Sequence, residues 1–126
     1  MATIFISGHL DLTDKEFHEH YVPEIVRMHT EGHRFVVGDA RGADTKAQDL
    51  LKSLDAKHVF VYHMFTAPRY NAGFLTVGGF VNDKQRDEKM TFDSQYDLAW
   101  VRPGREKSGT AANLKRREAL SNHNKE

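Results

Sequence analysis

The chain contains no cysteine, a single tryptophan and only three prolines in 126 residues. Without thiols there is no disulfide framework, no thiolate metal site and no cysteine nucleophile, and the composition fits a reducing, cytoplasmic compartment. An excess of charge of one sign is also missing. Eighteen Lys and Arg balance eighteen Asp and Glu, for a formal net charge of zero. A protein that gripped DNA or RNA through its phosphate backbone would carry a basic excess, so nucleic acid is demoted as a partner. No long hydrophobic run is present. The apolar start at Met1 to Ser7 is short, has no basic flank and meets the polar pair Gly8-His9 at once. It reads as a first strand rather than a signal peptide or a membrane span. With 39% hydrophobic residues, the length suits one domain spanning 1–126.

Strand and helix patterns alternate along the sequence. Thr3 to Ser7 is β-branched and aromatic, as in a strand buried on both faces of a parallel sheet. Thr13-Asp14-Lys15-Glu16 has the S/T-x-x-E spacing of a capping box. Phe17, Tyr21, Ile25 and Met28 then recur on one helical face; Pro23 should kink or divide that helix, and Gly32 should stop it. Arg34 to Val37 predicts a second strand, Ala43 to Leu54 a second helix, and His58 to Tyr62 a third strand. His63 to Val81, with Pro68 and three glycines, predicts a long loop or a loop with a small hairpin. A short polar helix over Asn82 to Met90, a strand over Asp97 to Val101 and a last helix over Thr110 to Leu120 follow, with a frayed polar tail at 121–126. Such an order predicts an α/β fold of Rossmann-like, doubly wound type. It should hold a mainly parallel sheet of four to five strands, with helices on both faces. The ligand crevice should open between the carboxyl ends of the first and last strands.

Three glycine-bearing turns should converge there. They are Ser7-Gly8-His9, then Gly38-Asp39-Ala40-Arg41-Gly42-Ala43-Asp44, then Pro103-Gly104 through Lys107-Ser108-Gly109-Thr110. Glycine lets a ligand approach the backbone, and the helix start that follows offers unpaired amides and a positive dipole end. The pair of hydroxyls in Ser108-Gly109-Thr110, beside Lys107, makes this the foremost phosphate-binding candidate. No G-x-G-x-x-G or G-x-x-x-x-G-K-[ST] occurs, which argues against a standard dinucleotide fold or P-loop. Asp44 suits a helix cap, Asp39 a ribose hydroxyl, and Arg86 either a ligand contact or an ion pair.

The motifs Gly38-Asp39-Ala40-Arg41-Gly42-Ala43-Asp44, Arg86 to Met90, Asp97-Leu98-Ala99-Trp100 and Ser108-Gly109-Thr110-Ala111-Ala112-Asn113 resemble, in order and spacing, the YpsA-related branch of the SLOG superfamily. The resemblance covers nearly the whole chain. It implies a Rossmann-like fold and a pocket for nucleotides or nucleotide-derived molecules. Relatives in that superfamily include the Lonely Guy phosphoribohydrolases, the DNA-processing protein DprA, and sensor domains of bacterial and phage immunity that bind signalling nucleotides. It also implies a homo-oligomer. Lonely Guy enzymes carry a pattern like P-G-G-x-G-T-x-x-E with an upstream arginine. Here Arg86 and Met90 keep the arginine-to-methionine spacing and Gly109-Thr110 the phosphate turn, but Asn113 stands at the glutamate position. An amide cannot accept a proton at neutral pH, so a glycosidase would need Arg86 with Asp39 or Asp44 in the carboxylate's place.

Three functions are therefore in view. The first is a sensor or sequestering module for a phosphate-bearing, nucleotide-derived ligand. The second is a nucleoside-monophosphate N-glycosidase or other nucleotide hydrolase. The third, disfavoured by the neutral charge, is a DNA-associated protein like DprA. No cofactor is called for. The eight histidines show no metal-ligand spacing, although His9 and His63 should approach one another at the pocket mouth. Phe65, Tyr70, Phe74 and Phe80 read as a stacking lid or as satellite core, Trp100 as core or dimer interface, and Lys115-Arg116-Arg117 as a solvated face.

Overall fold

The computed structural model describes residues 1–125, with side chains through residue 122. Among them the chain forms β1 (Thr3–Ile6), α1 (Asp14–His20), α2 (Val22–Thr30), β2 (Arg34–Gly38), α3 (Ala43–Ser53), β3 (Val59–Met64), β4 (Leu75–Phe80), α4 (Asp83–Asp93), β5 (Tyr96–Leu98) and α5 (Gly109–Lys125). The strands make one sheet in the order β4-β3-β2-β1-β5, and every neighbouring pair is parallel. The chain builds outward from β1 to β4, then returns to lay β5 on the other flank of β1. This is an α/β, Rossmann-like doubly wound fold with its topological switch between β1 and β5. No described helix is long and apolar enough to cross a membrane.

Alternation along the central strands feeds two cores. Ile4, Ile6, Val37, Val59 and Val61 pack with Phe17, Ile25, Ala47 and Leu51 from α1, α2 and α3, and with Tyr21 between α1 and α2. Phe5, Val36 and Tyr62 face the opposite side and pack on Met90 of α4. The capping box forms as the spacing predicts: the Thr13 hydroxyl accepts from the Glu16 amide at 3.1 Å, and the Glu16 carboxylate accepts from the Thr13 amide at 3.0 Å. Pro23 divides the helix rather than kinking it. It occupies the first turn of α2, where its missing N–H costs nothing, and Tyr21 serves as the joint.

Three expectations need correction. The segment 63–81 is not a loop throughout, nor a hairpin, because Leu75–Phe80 adds a parallel edge strand to β3. An edge strand tolerates the Gly78-Gly79 pair that hides it in the sequence. The intervening residues 65–74 are held to the sheet by the fully buried Gln48, whose amide donates to the Gly38 carbonyl at 2.8 Å and accepts from the Ala72 amide at 2.9 Å. At the other end, α5 continues through the polar stretch to Lys125, so 121–125 is helical; residue 126 lies outside the described residues. The last strand is also shorter than its apolar run. After Leu98 the backbone leaves the sheet because the Trp100 amide donates to the Tyr21 hydroxyl at 3.0 Å and the Arg102 amide to His9 Nε2 at 2.9 Å.

Candidate functional site

A hollow of about 290 Å³ opens at the carboxyl end of β1, beside β5 and under the start of α5. Ser7, Gly8 and His9 form its floor, Ser108, Gly109 and Thr110 one rim, and Asp44, Arg86 and Asn113 the opposite wall. The first and third predicted turns thus meet here. The second turn contributes Ala40 and Asp44 to the lining and supports the floor through Gly42. Gly42 adopts φ +74°, and a Cβ there would come within 2.4 Å of the His9 carbonyl and 2.3 Å of the Leu10 carbonyl. The Ala43 amide, at the start of α3, donates to the same His9 carbonyl at 3.2 Å. That close approach locks the floor in place, and it uses α3's helix terminus for the protein rather than for a ligand.

At the rim, Ser108 is the cap of α5: its hydroxyl accepts from the Ala111 amide at 3.2 Å. The amides of Gly109 and Thr110 are the remaining first-turn donors, which no helical carbonyl can reach. Thr110 is buried and lines the hollow. Across the floor, Ser7 is 6% exposed and its Oγ has no partner. Arg105, whose side chain is 44% exposed and lies 3.5 Å from Asp11, completes this end with a positive charge.

His9 is 3% exposed and accepts the Arg102 amide at Nε2, so its proton rests on Nδ1. Burial, then the positive charges of Arg105 and Arg102, hold its pKa below the ordinary value, which keeps the ring neutral. It sits edge-on to Trp100, which stacks on His20 with centroids 4.0 Å apart. Trp100 is therefore partly buried packing. His63 does not approach His9: β2 separates their strands. Its Nδ1 instead donates to the Met64 carbonyl, 2.9 Å away.

The opposite wall is a carboxylate cluster around one arginine. Arg86 is 5% exposed; it donates to Asp39 at 2.7 Å and to Asp87 at 3.0 Å, and lies 3.2 Å from Asp83. Asp39 is saturated. Arg69 also donates to it, from the backbone amide at 2.7 Å and from the guanidinium at 2.8 Å. Burial pushes the Asp39 pKa up, but these arginine bonds and charges outweigh it and hold the carboxyl below the ordinary value. The Asp39 oxygens expected to meet a ribose hydroxyl are thus taken up by Arg69 and Arg86, and Asp39 does not line the hollow. Asp44 differs. It is 6% exposed, receives one hydrogen bond, from the Ala40 amide at 3.1 Å, and makes no ion pair among the described residues. It lies beside Arg86 over Gly38, where a Cβ would meet both side chains at under 3.0 Å. Burial raises its pKa to about 7, against the pull of the Arg86 charge. Asn113 donates to Asp87 at 3.2 Å and accepts from Arg116 at 2.7 Å, so its amide orients a carboxylate instead of replacing one.

Comparison with protein-family models, curated proteins and solved structures yields no match to this chain.

Of the other predicted residues, Pro103, Gly104 and Lys107 are exposed in the β5–α5 connection and do not line the hollow. Arg41 points its interest elsewhere, lining a neighbouring groove. Sequence reasoning missed Arg69, Asp83, Asp87 and Arg105. Arg69 stood in an apparent loop, Asp83 shows itself only by lying one helical turn before Arg86, and Asp87 is its immediate neighbour. The basic run on α5 is not a solvated face. Arg117 donates to the Ser94 carbonyl at 2.9 Å and to Asp97 at 3.2 Å, leaving Lys115 exposed. Phe74 and Phe80 pack against the two cores, Tyr70 joins the neighbouring groove, and Phe65 is 67% exposed.

Proposed function

We propose that the protein binds a nucleotide or nucleotide-derived small molecule by its phosphate, as a sensor or sequestering module. The observation that carries this reading is the Ser7 hydroxyl, buried without a partner in the floor of the hollow. An unmet buried polar group costs about 1–3 kcal/mol, a cost that an incoming phosphate oxygen removes. The Gly109 and Thr110 amides, the Thr110 hydroxyl and Arg105 bring further donors to the same end, at the positive pole of a seventeen-residue helix. The opposite wall offers acceptors, Asp44 and Asp87, which suit hydroxyl or amino donors. A free phosphate would leave that wall unanswered. A phosphate on a hydroxylated or aminated body, such as a ribose or a base, answers both ends. The resemblance of the sequence to the SLOG superfamily agrees with this class of ligand.

One observation favours a second reading, an N-glycosidic hydrolase. Asp44, with a pKa near 7 beside Arg86, is a carboxyl able to hold or take a proton near neutral pH. It would occupy the role that Asn113 cannot. A panel of nucleoside monophosphates, followed by thermal unfolding and by product analysis, separates the two. Binding without turnover raises the melting temperature and returns intact ligand. Its expected size is about 2.7 kcal/mol of stabilisation at roughly a hundred times Kd. Release of free base, abolished in Asp44→Asn, supports the hydrolase. Absence of stabilisation by every nucleotide contradicts both.

A further inference from the structure

Beside the first hollow lies a second, of about 330 Å³, and the two share Leu10, Ala40 and Arg69 in their walls. The first, at about 290 Å³, stands at the lower limit of small-molecule sites, which run from roughly 300 to 1,000 Å³. A ligand longer than one nucleotide, with its phosphate at Ser7 and α5, therefore leaves the first hollow across Arg69.

What it meets there is chemically specific. The Arg69 guanidinium spans the threshold, donating through Nη2 to Asp39 at 2.8 Å and to Asp83 at 2.9 Å. Its Nε and Nη1 donors have no partner among the described residues, and its side chain is 49% exposed. Beyond it, Arg41 is exposed and forms no ion pair among the described residues. Tyr70 supplies an aromatic ring fixed at both ends. Its hydroxyl donates to Asp49, and its carbonyl accepts from Gln48 at 3.3 Å. Leu10, 51% exposed, adds an apolar surface. Two arginines with free donors call for a second anionic group, and a held aromatic beside an apolar side chain calls for a planar one.

We propose that the two hollows form one bipartite site for a terminally phosphorylated, phosphodiester-linked dinucleotide. The terminal phosphate sits at Ser7 and the start of α5, with the first ribose along Asp44 and Asp87. The internal phosphodiester faces Arg69 and Arg41, and the second nucleoside lies on Tyr70 and Leu10. This rests on the first hollow being the phosphate seat.

Titration calorimetry tests it with the adenine, guanine, cytosine and uracil nucleoside monophosphates against the matching terminally phosphorylated dinucleotides. At least one dinucleotide should bind about ten-fold or more tightly than its monophosphate, the gain expected of one added charge-assisted contact. Arg41→Ala, at an exposed position, should remove that gain and leave monophosphate affinity within about two-fold. Thr110→Val should weaken both classes. Equal affinity for the two classes overturns the bipartite site while leaving the first hollow's reading intact, as does an Arg41→Ala variant that weakens both classes alike. A terminally phosphorylated hexanucleotide binding more tightly than the dinucleotide overturns the two-unit limit. No binding by either class, with Thr110→Val indistinguishable from the unaltered protein, overturns the phosphate seat as well.

Discussion

At the residue scale, Asp44 and Ser7 are both held in states that folding alone does not favour. Burial lifts the Asp44 pKa from 3.8 to about 7, so the folded protein binds this proton more tightly than the unfolded chain does. Its contribution to stability is complete below pH 3.8 and is lost as pH rises toward 7. Asp44→Asn, which stays neutral, should flatten the fall of stability across that window, read from denaturant unfolding at a series of pH values. An unchanged slope would place the proton elsewhere. Ser7 carries the complementary signature. Replacing it with Ala removes a hydroxyl that has no partner, so stability should hold or rise by up to about 1 kcal/mol while phosphate-ligand affinity falls. A loss of stability comparable to that of a hydrogen-bonded serine would mean that the hydroxyl serves the fold.

At the scale of elements, patterns with a local physical cause were legible. The capping box at Thr13 and Glu16, the division at Pro23 and the glycine stop at Gly32 follow from contacts within a few residues. What remained hidden depends on distant partners. β4 carries a Gly-Gly pair and four of its six residues are exposed, so only its pairing with β3 makes it a strand. β5 ends early because Tyr21 and His9, far off in sequence, take the next amides. In the candidate site the glycine turns announced themselves, whereas the fates of Asp39 and Gly42 did not. One is consumed by Arg69 and Arg86, the other by close packing. Gly42 gives the element-scale prediction. Gly42→Ala must put a Cβ against the Leu10 carbonyl at φ +74°. It should cost about 1–3 kcal/mol for the backbone alone, with more for the displaced floor. Nucleotide affinity should fall with it, since Ser7 to His9 would shift. Urea unfolding at fixed pH measures the loss, and a variant as stable as the unaltered protein would show that the contact is not needed.

Across the whole molecule, the doubly wound order explains why the hollow opens at one end of the sheet. The switch between β1 and β5 leaves their carboxyl ends uncovered by a crossover, and α5 begins where that gap opens. One end of the hollow gathers hydrogen-bond donors and the other gathers carboxylates around Arg86, so a ligand seated there would be oriented as well as held. The remaining molecule braces this arrangement: Tyr21, fully buried, donates to the Ser7 carbonyl at 2.7 Å while accepting from Trp100. The most direct test is a proton–nitrogen correlation NMR titration with the nucleoside monophosphates and their terminally phosphorylated dinucleotides. Saturable shifts should centre on the backbone amides of Gly8, Gly109 and Thr110, and should vanish at those amides when the terminal phosphate is removed. Binding that leaves the Gly109 and Thr110 amides unmoved, or that persists unchanged without the phosphate, would contradict the account.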